Sequence, residues 1–180
     1  QAKKDTANFV RVLQDATVKF PSEPCFLQNL INYYIYSGQE QKAIEYLDQA
    51  IAREPNVAQY HHIKGNLDEN AKNYDAALAD FDAALALDPT LADAHAGKGR
   101  VYYNQAVKMN EDAAYITDQK AYNAALKEMN EMFRKALPHF EKAHELDPKN
   151  RDFIMILRGL YYRFQMDDKY TAISEELNNL

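Results

Sequence analysis

The sequence predicts an all-α solenoid, a stack of helical hairpins sharing one elongated core. Three observations carry that prediction. Pro21, Pro55 and Pro89 are each 34 residues apart, and Pro148 closes a stretched interval of 59; a period of this length is the mark of stacked helix–turn–helix units. The same text recurs ahead of each proline, as AIEYLDQAIAREP at 43–55, ALADFDAALALDP at 77–89 and ALPHFEKAHELDP at 136–148, with a weaker copy, FVRVLQDATVKFP, at 9–21. Within the copies, apolar residues fall three and four apart, the spacing of one helix face.

The segment 6–19 reads as a helix with Phe9, Val10, Leu13 and Ala16 on one face, stopped by Phe20-Pro21. It is the second helix of a repeat whose first is missing, the expectation for a fragment or a processed product. Segment 24–37 is a first helix, with Leu27, Leu30, Ile31, Tyr34 and Ile35 forming its stripe and Gly38 ending it where a positive φ is cheap. Its partner runs over 39–53. Segments 56–71 and 74–87 repeat the pair, with Gly65 expected to face Ala77 and Ala84. A third pair covers 91–111 and 118–146, with the turn inside 112–117. A polar terminal hairpin, 151–165 with 169–179, caps the stack. The domain organisation is a single unit, 1–180, divided into a partial repeat at 6–19, repeats at 24–55 and 58–89, an extended repeat at 91–148 and the hairpin at 151–179.

The recurring residues have a mechanical reason. Each second helix alternates small and large side chains, as Ala43, Leu47, Ala50, then Ala77, Phe81, Ala84, then Ala136, Phe140, Ala143. Small residues admit a neighbouring helix and large ones fill the space beside them. Glu54-Pro55, Asp88-Pro89 and Asp147-Pro148 stop these helices, because proline disfavours helical geometry in the residue before it and cannot continue the hydrogen-bond ladder.

These residues resemble the tetratricopeptide repeat family over most of 6–178. The marks are Leu27, Leu30, Ile31, Tyr34, Ala43, Leu47, Ala50 and Pro55; Gly65, Tyr74, Ala77, Phe81, Ala84 and Pro89; and Gly99, Tyr102, Ala136, Phe140, Ala143 and Pro148. The family's usual tryptophan is replaced by Leu27, His61, His95 and Ile154. The resemblance implies a right-handed superhelix. The insertion in the third copy and the wording KALPHFEKAHELDPKNRD are also similar to tetratricopeptide proteins of Bacteroidetes.

The third copy holds 25 residues more than a regular one. Tyr122, Leu126, Met129, Phe133, Ala136 or Leu137, and Phe140 keep helical spacing through it, so both helices of this hairpin lengthen together. A kink is expected at Pro138. Two readings stand for the added turns: a thicker core, or a partner-docking arm. On the second, residues 108–133 form an accessory segment whose apolar faces mainly satisfy each other.

A net charge of -6 with no basic cluster argues against a nucleic-acid backbone as the main partner. No stretch reaches the roughly 18 apolar residues of a membrane span. Cytoplasm and periplasm both remain open as compartments. Cys25 is the only cysteine and is expected to be a buried, inert thiol. Adjacent His61 and His62 diverge on a helix, and His139 and His144 are five apart, so no metal site or other cofactor is expected. No nucleophile motif or phosphate-binding glycine loop is present, and the chain is not expected to be an enzyme.

Function is expected on the concave face lined by the first helices. The polar residues left over after packing are Gln28, Asn32 and Tyr36, then Gln59, His62, Asn66 and Asn70, then Arg100, Tyr103 and Asn104, with Met155, Tyr162 and Arg163 extending the surface. Amides and tyrosines suit the backbone and side chains of an extended peptide. Some family members hold a terminal carboxylate with two lysines, two asparagines and an arginine. Here Asn32 fits, but Gln28, Ile63, Asp93 and Gly97 occupy the other places, which does not support that activity. The partner is expected to be a protein or extended peptide; the alternatives are a solvated groove and a module that self-associates into homo-oligomers through the long hairpin or the stack ends.

Overall fold

The positions where the helices stop fix the architecture. Gly38, Lys72 and Gln165 adopt left-handed φ values of 69°, 63° and 54°. At each, the residue's own N–H bonds the carbonyl three residues back and the next N–H bonds the carbonyl five back, as in Gly38 to Ile35 with Gln39 to Tyr34. This is the Schellman closure of a helix end. Three further helix ends precede prolines: α3, α5 and α7 stop at Glu54, Asp88 and Asp147 with φ of -131°, -137° and -134°.

The computed structural model describes residues 2–20 and 23–180, so Pro21, the first of the spaced prolines, lies outside the described residues. The helices are α1 (Ala2–Lys19), α2 (Pro24–Tyr36), α3 (Glu40–Arg53), α4 (Ala58–Asn70), α5 (Tyr74–Leu87), α6 (Ala92–Ala113), α7 (Gln119–Leu146), α8 (Arg151–Arg163) and α9 (Asp167–Asn178). No strand occurs among the described residues. The pairs are α2 with α3, α4 with α5, α6 with α7 and α8 with α9, and α1 packs on α2. The fold is all-α, with the α6–α7 hairpin longer than the rest. Boundaries move by small amounts: α1 begins before residue 6, α6 passes 111 by two residues, and α9 begins two before 169. Helix α7 runs unbroken through Pro138.

Repeat spacing explains the long hairpin. Lys72 follows Gly38 by one period, and one further period reaches Ala106, which is helical and fully buried. The chain passes the place of its stop and continues to Ala113. The return is organised by Asp118, whose side chain accepts the N–H of Ala121 at 2.8 Å.

The closest packing is glycine against phenylalanine. A Cβ at Gly65 would lie 2.8 Å from the Phe81 ring, one at Gly97 would lie 2.5 Å from the same ring, and one at Gly99 would lie 2.8 Å from Phe140. This corrects the expectation that Gly65 faces Ala77 and Ala84: those alanines lie about one turn either side of Phe81, and the ring takes the space. The buried apolar residues gather in three successive clusters, and Phe81 of the second packs on α4 and α6, which also carry residues of the first and third. The first runs from Leu13 to Leu67, the second holds Ala77, Phe81, Ala84, Ala94 and Val101, and the third joins α6 and α7 to Phe153, Leu157, Leu160 and Ile173.

Two further expectations change. Cys25 is exposed. At about 100° per residue it sits roughly 200° from Leu27, away from the buried stripe of Leu27, Leu30, Ile31 and Tyr34. Met129 and Phe133 are buried within the third cluster, which joins α6 and α7 to α8, and Phe133 lies beneath Arg163 of α8 at 4.2 Å. The lower part of the proposed accessory segment therefore thickens the core, and its faces do more than satisfy each other. Tyr115, at the tip, is exposed.

Two outcomes are expected in urea melts. Gly97→Ala should lose about 1–3 kcal/mol by overpacking, and Phe81→Leu in the same chain should recover part of the loss; equal losses with and without Phe81 would reject the ring contact. Lys72→Gly should gain roughly 0.5–1 kcal/mol by relieving the left-handed residue, and a loss would show that the Lys72 side chain contributes more than its backbone costs.

Candidate functional site

The first-helix face is built by α2, α4, α6 and α8, and its polar residues behave differently along its length. At the N-terminal joint, a depression of about 200 Å³ lies between α2 and α4. Gln28, Asn32 and Gln59 edge it, and Ile31, Leu47 and Ile63 supply apolar walls. Gln28 donates to the Tyr60 hydroxyl at 3.3 Å, and that hydroxyl donates to Glu54 Oε2 at 2.8 Å. The outer amide is thus tied to the turn after α3, while Asn32 is exposed.

The joint between α4 and α6 is filled by a hydrogen-bonded chain. Glu69, only 8% exposed, accepts from Arg100 Nε at 3.1 Å and Nη2 at 3.0 Å, both to Oε2, and from Asn104 Nδ2 at 3.1 Å to Oε1. Arg100 Nη2 also donates to Asn66 Oδ1 at 2.8 Å. That contact turns Asn66 Nδ2 toward His62 Nε2, at 3.1 Å. Nε2 must then accept, which places the ring proton on Nδ1. Gln59 Nε2 lies 3.3 Å from Nδ1, and a half-turn of this amide, whose two ends exchange, presents its oxygen to the ring proton. His62 is therefore held neutral. Burial lowers its pKa, Asp93 opposes the shift and Arg100 adds to it.

Further along, α6 and α8 frame a depression of about 400 Å³ touched by Arg100, Phe153 and Met155, and a larger one of about 600 Å³ lined by Tyr103, Phe133, Gly159, Leu160, Tyr162 and Arg163 among others. Tyr103 meets the Phe133 ring edge-on at 5.1 Å.

The structure thus brings Gln28, Asn32 and Gln59 to one groove and Tyr103, Tyr162 and Arg163 to another. His62, Asn66, Arg100 and Asn104 are gathered into the joint between, where they bond one another and Glu69. Tyr36, 90% exposed, and Asn70, exposed at the end of α4, line none of these grooves. The residues missed in sequence were Tyr60 and Glu69. Their signal was an offset near one repeat: Tyr60 lies 32 residues from Gln28, and Glu69 lies 31 from Arg100 and 35 from Asn104. Among the described residues, no group of three or more His, Cys, Asp or Glu could hold a metal ion, and no helix is long and apolar enough to cross a membrane.

Residues 28–57 match a family model described as tetratricopeptide repeat, and residues 70–106 match a second described as TPR repeat. No curated protein matches the sequence. Among solved structures, the crystal structure of MamA aligns with a TM-score of 0.72 at 18% identity, over 99% of this chain and 90% of that one. The human IFIT1 dimer with m7Gppp-AAAA aligns at 0.68 and 22% identity, over 93% of this chain and 36% of that one. The first TPR of Spaghetti (RPAP3) bound to HSP90 peptide SRMEEVD aligns at 0.60 and 17% identity, over 80% and 94%. At these identities the likeness shows the fold.

Two measurements address the joint and its neighbourhood. In a double-mutant cycle, Glu69→Ala and Arg100→Ala should each lose about 1–3 kcal/mol and show a coupling above roughly 1 kcal/mol; additive losses would mean the pair contributes nothing as a pair. The second concerns acid. His139, stacked on Tyr102 at 5.8 Å, has its pKa lowered to about 4 by burial, with Lys98 and His95 adding and Asp82 opposing. The unfolded chain therefore takes up this proton first. Stability should be level in this respect above about pH 6.5 and fall as pH drops toward 4, by at most about 3 kcal/mol. His139→Phe should flatten that fall in denaturant melts at pH 7.5, 6 and 5; parallel curves would reject the assignment.

Proposed function

We propose that the chain, of which residues 28–57 and 70–106 match tetratricopeptide repeat models, is a non-enzymatic scaffold that holds an extended polypeptide along its first-helix face. The observation that carries this reading is the groove between α2 and α4, where Gln28, Asn32 and Gln59 stand around apolar walls. Amides can pair with a peptide backbone in either direction while the walls receive a side chain. Tyr103, Tyr162 and Arg163 would continue the contact beyond the closed middle joint. His62, Asn66, Arg100 and Asn104 are proposed to shape the face from within it. The repeat boundaries given above, the single domain over 1–180 and the finer likeness to Bacteroidetes proteins belong with this proposal.

A free terminal carboxylate is not the proposed ligand. Gln28, Ile63, Asp93 and Gly97 supply no cation where the family's clamp has its charged and amide groups, although one structural neighbour holds an HSP90 peptide. Nucleic acid is not proposed either, given the net charge of -6. The second reading, self-association, rests on the long hairpin and on Phe9 and Val12 exposed along α1.

The test is selection from a displayed random-peptide library, followed by titration of a selected peptide. Asn32→Ala with Gln59→Ala should weaken it by about 1–3 kcal/mol with the melting midpoint nearly unchanged. Replacing Asn66 and Arg100 is a poor probe, because it strands Glu69. Unchanged affinity in the Asn32/Gln59 variant would remove the groove from the reading. A concentration-dependent rise in mass during sedimentation would favour self-association.

A further inference from the structure

Helix α7, just past its added turns, meets the end of α8 through two arginine–phenylalanine contacts that cross. Arg163 of α8 stacks over Phe133 of α7 at 4.2 Å, and Arg134 of α7 stacks over Phe164, the residue capping α8, at 4.7 Å. Each arginine neighbours in sequence the phenylalanine that receives the other. Such stacking fixes the guanidinium plane and leaves its N–H edges available. Arg163 Nη1 spends one bond on Asn130 Oδ1, at 3.2 Å. Among the described residues, neither arginine has a carboxylate within ion-pair distance. A polar depression of about 220 Å³ between them is lined by Asn130, Arg134, Arg163, Phe164 and Gln165, with no acid. Arg163 and Gln165 also border the larger groove holding Tyr103, Leu160 and Tyr162, where Asp167 is the only acidic group.

We propose that this corner is a recognition site for an acidic side chain of a bound polypeptide. Arg134 and Arg163 take the carboxylate, and the residue beside it, aromatic or aliphatic, lies in the groove against Tyr103 and Tyr162. On a chain of net charge -6, two ring-stacked guanidiniums with no ion-pair partner among the described residues favour an anionic partner. Gly159 opens onto the same groove, with no atom outside its chain neighbours and its own helix backbone within 4 Å of the place its Cβ would occupy, so a ligand can approach the α8 backbone there. Phe133 and Arg134 hold the places of Tyr74 and Asp75 at the start of α5, whereas Asn130, which bonds Arg163, belongs to the added turns of the third hairpin. This inference rests on the peptide-scaffold reading and names the chemistry of one part of it.

The experiment uses the full chain with three probes: an amidated, acetylated octapeptide carrying a Glu-Phe-Glu centre, the same peptide with Gln for both Glu, and inorganic phosphate. Binding is followed by calorimetry and by the arginine Nε–H resonances. The acidic peptide should shift the signals of Arg134 and Arg163 saturably and bind at least tenfold tighter than the Gln peptide. Arg134→Gln with Arg163→Gln should abolish that preference, whereas Arg158→Gln, on the same helix, should leave it. The proposal is overturned by equal affinity for the two peptides, by an unchanged preference in the double variant, by the absence of any arginine shift, or by phosphate saturating the site as tightly as the peptide. Peptide binding that persists without charge preference, and that responds to Asn32 and Gln59, would overturn this corner while leaving the scaffold reading intact.

Discussion

A phenyl ring held between two glycines sets the spacing of the middle of the stack. Phe81 presses on Gly65 of its own hairpin and on Gly97 of the next, so one side chain fixes both the distance within a repeat and the distance between repeats. Glycine inside a helix costs roughly 0.5–1 kcal/mol relative to alanine, and the ring contact is what offsets it. The pair recurs as Gly99 with Phe140. At the equivalent places of the first repeat stand Ile31 and Leu47, and in the last hairpin Arg158 and Ser174. The ends of the solenoid therefore relax a constraint that its centre obeys, and a groove opens beside Ile31 and Leu47.

That difference organises the face as well as the core. The tightly spaced joint between α4 and α6 brings first-helix side chains within bonding distance, and they satisfy one another around buried Glu69. At the wider joints, amides and rings border open space. A buried carboxylate is tolerable only with partners in place, so the central polar chain acts as a fixed divider between two receptive regions.

Helix order, hairpin pairing and the long third hairpin were legible in the sequence because they follow from periodicity along one chain. Positions across the stack were not. Helical spacing correctly put Asn66, Arg100 and Asn104 on one face, yet it could not tell whether that face spends its hydrogen bonds on a ligand or on itself. Asn66 and Arg100 are one period apart and so stand side by side, and the acid that joins them sits at an offset three residues short of the period. The same blindness affected Gly65, whose true neighbour is a ring rather than the alanines flanking it. Cys25 was misplaced for a simpler reason: composition says cysteine is usually buried, whereas its angle on α2 points it outward.

The passage of the chain through Ala106 without a left-handed stop has a consequence for how this hairpin can change length. Its two helices are locked side by side, with Tyr103 against Phe133 and Tyr102 against His139. Losing one residue from a single helix would rotate everything between that point and the tip by about 100° and turn its apolar stripe away from the partner. Losses matched at the same level in both helices would preserve the zip and merely shorten the rod. Length variation in this element is thus confined to paired steps, and a reading frame of two antiparallel strips replaces the 34-residue period that governs the rest of the chain.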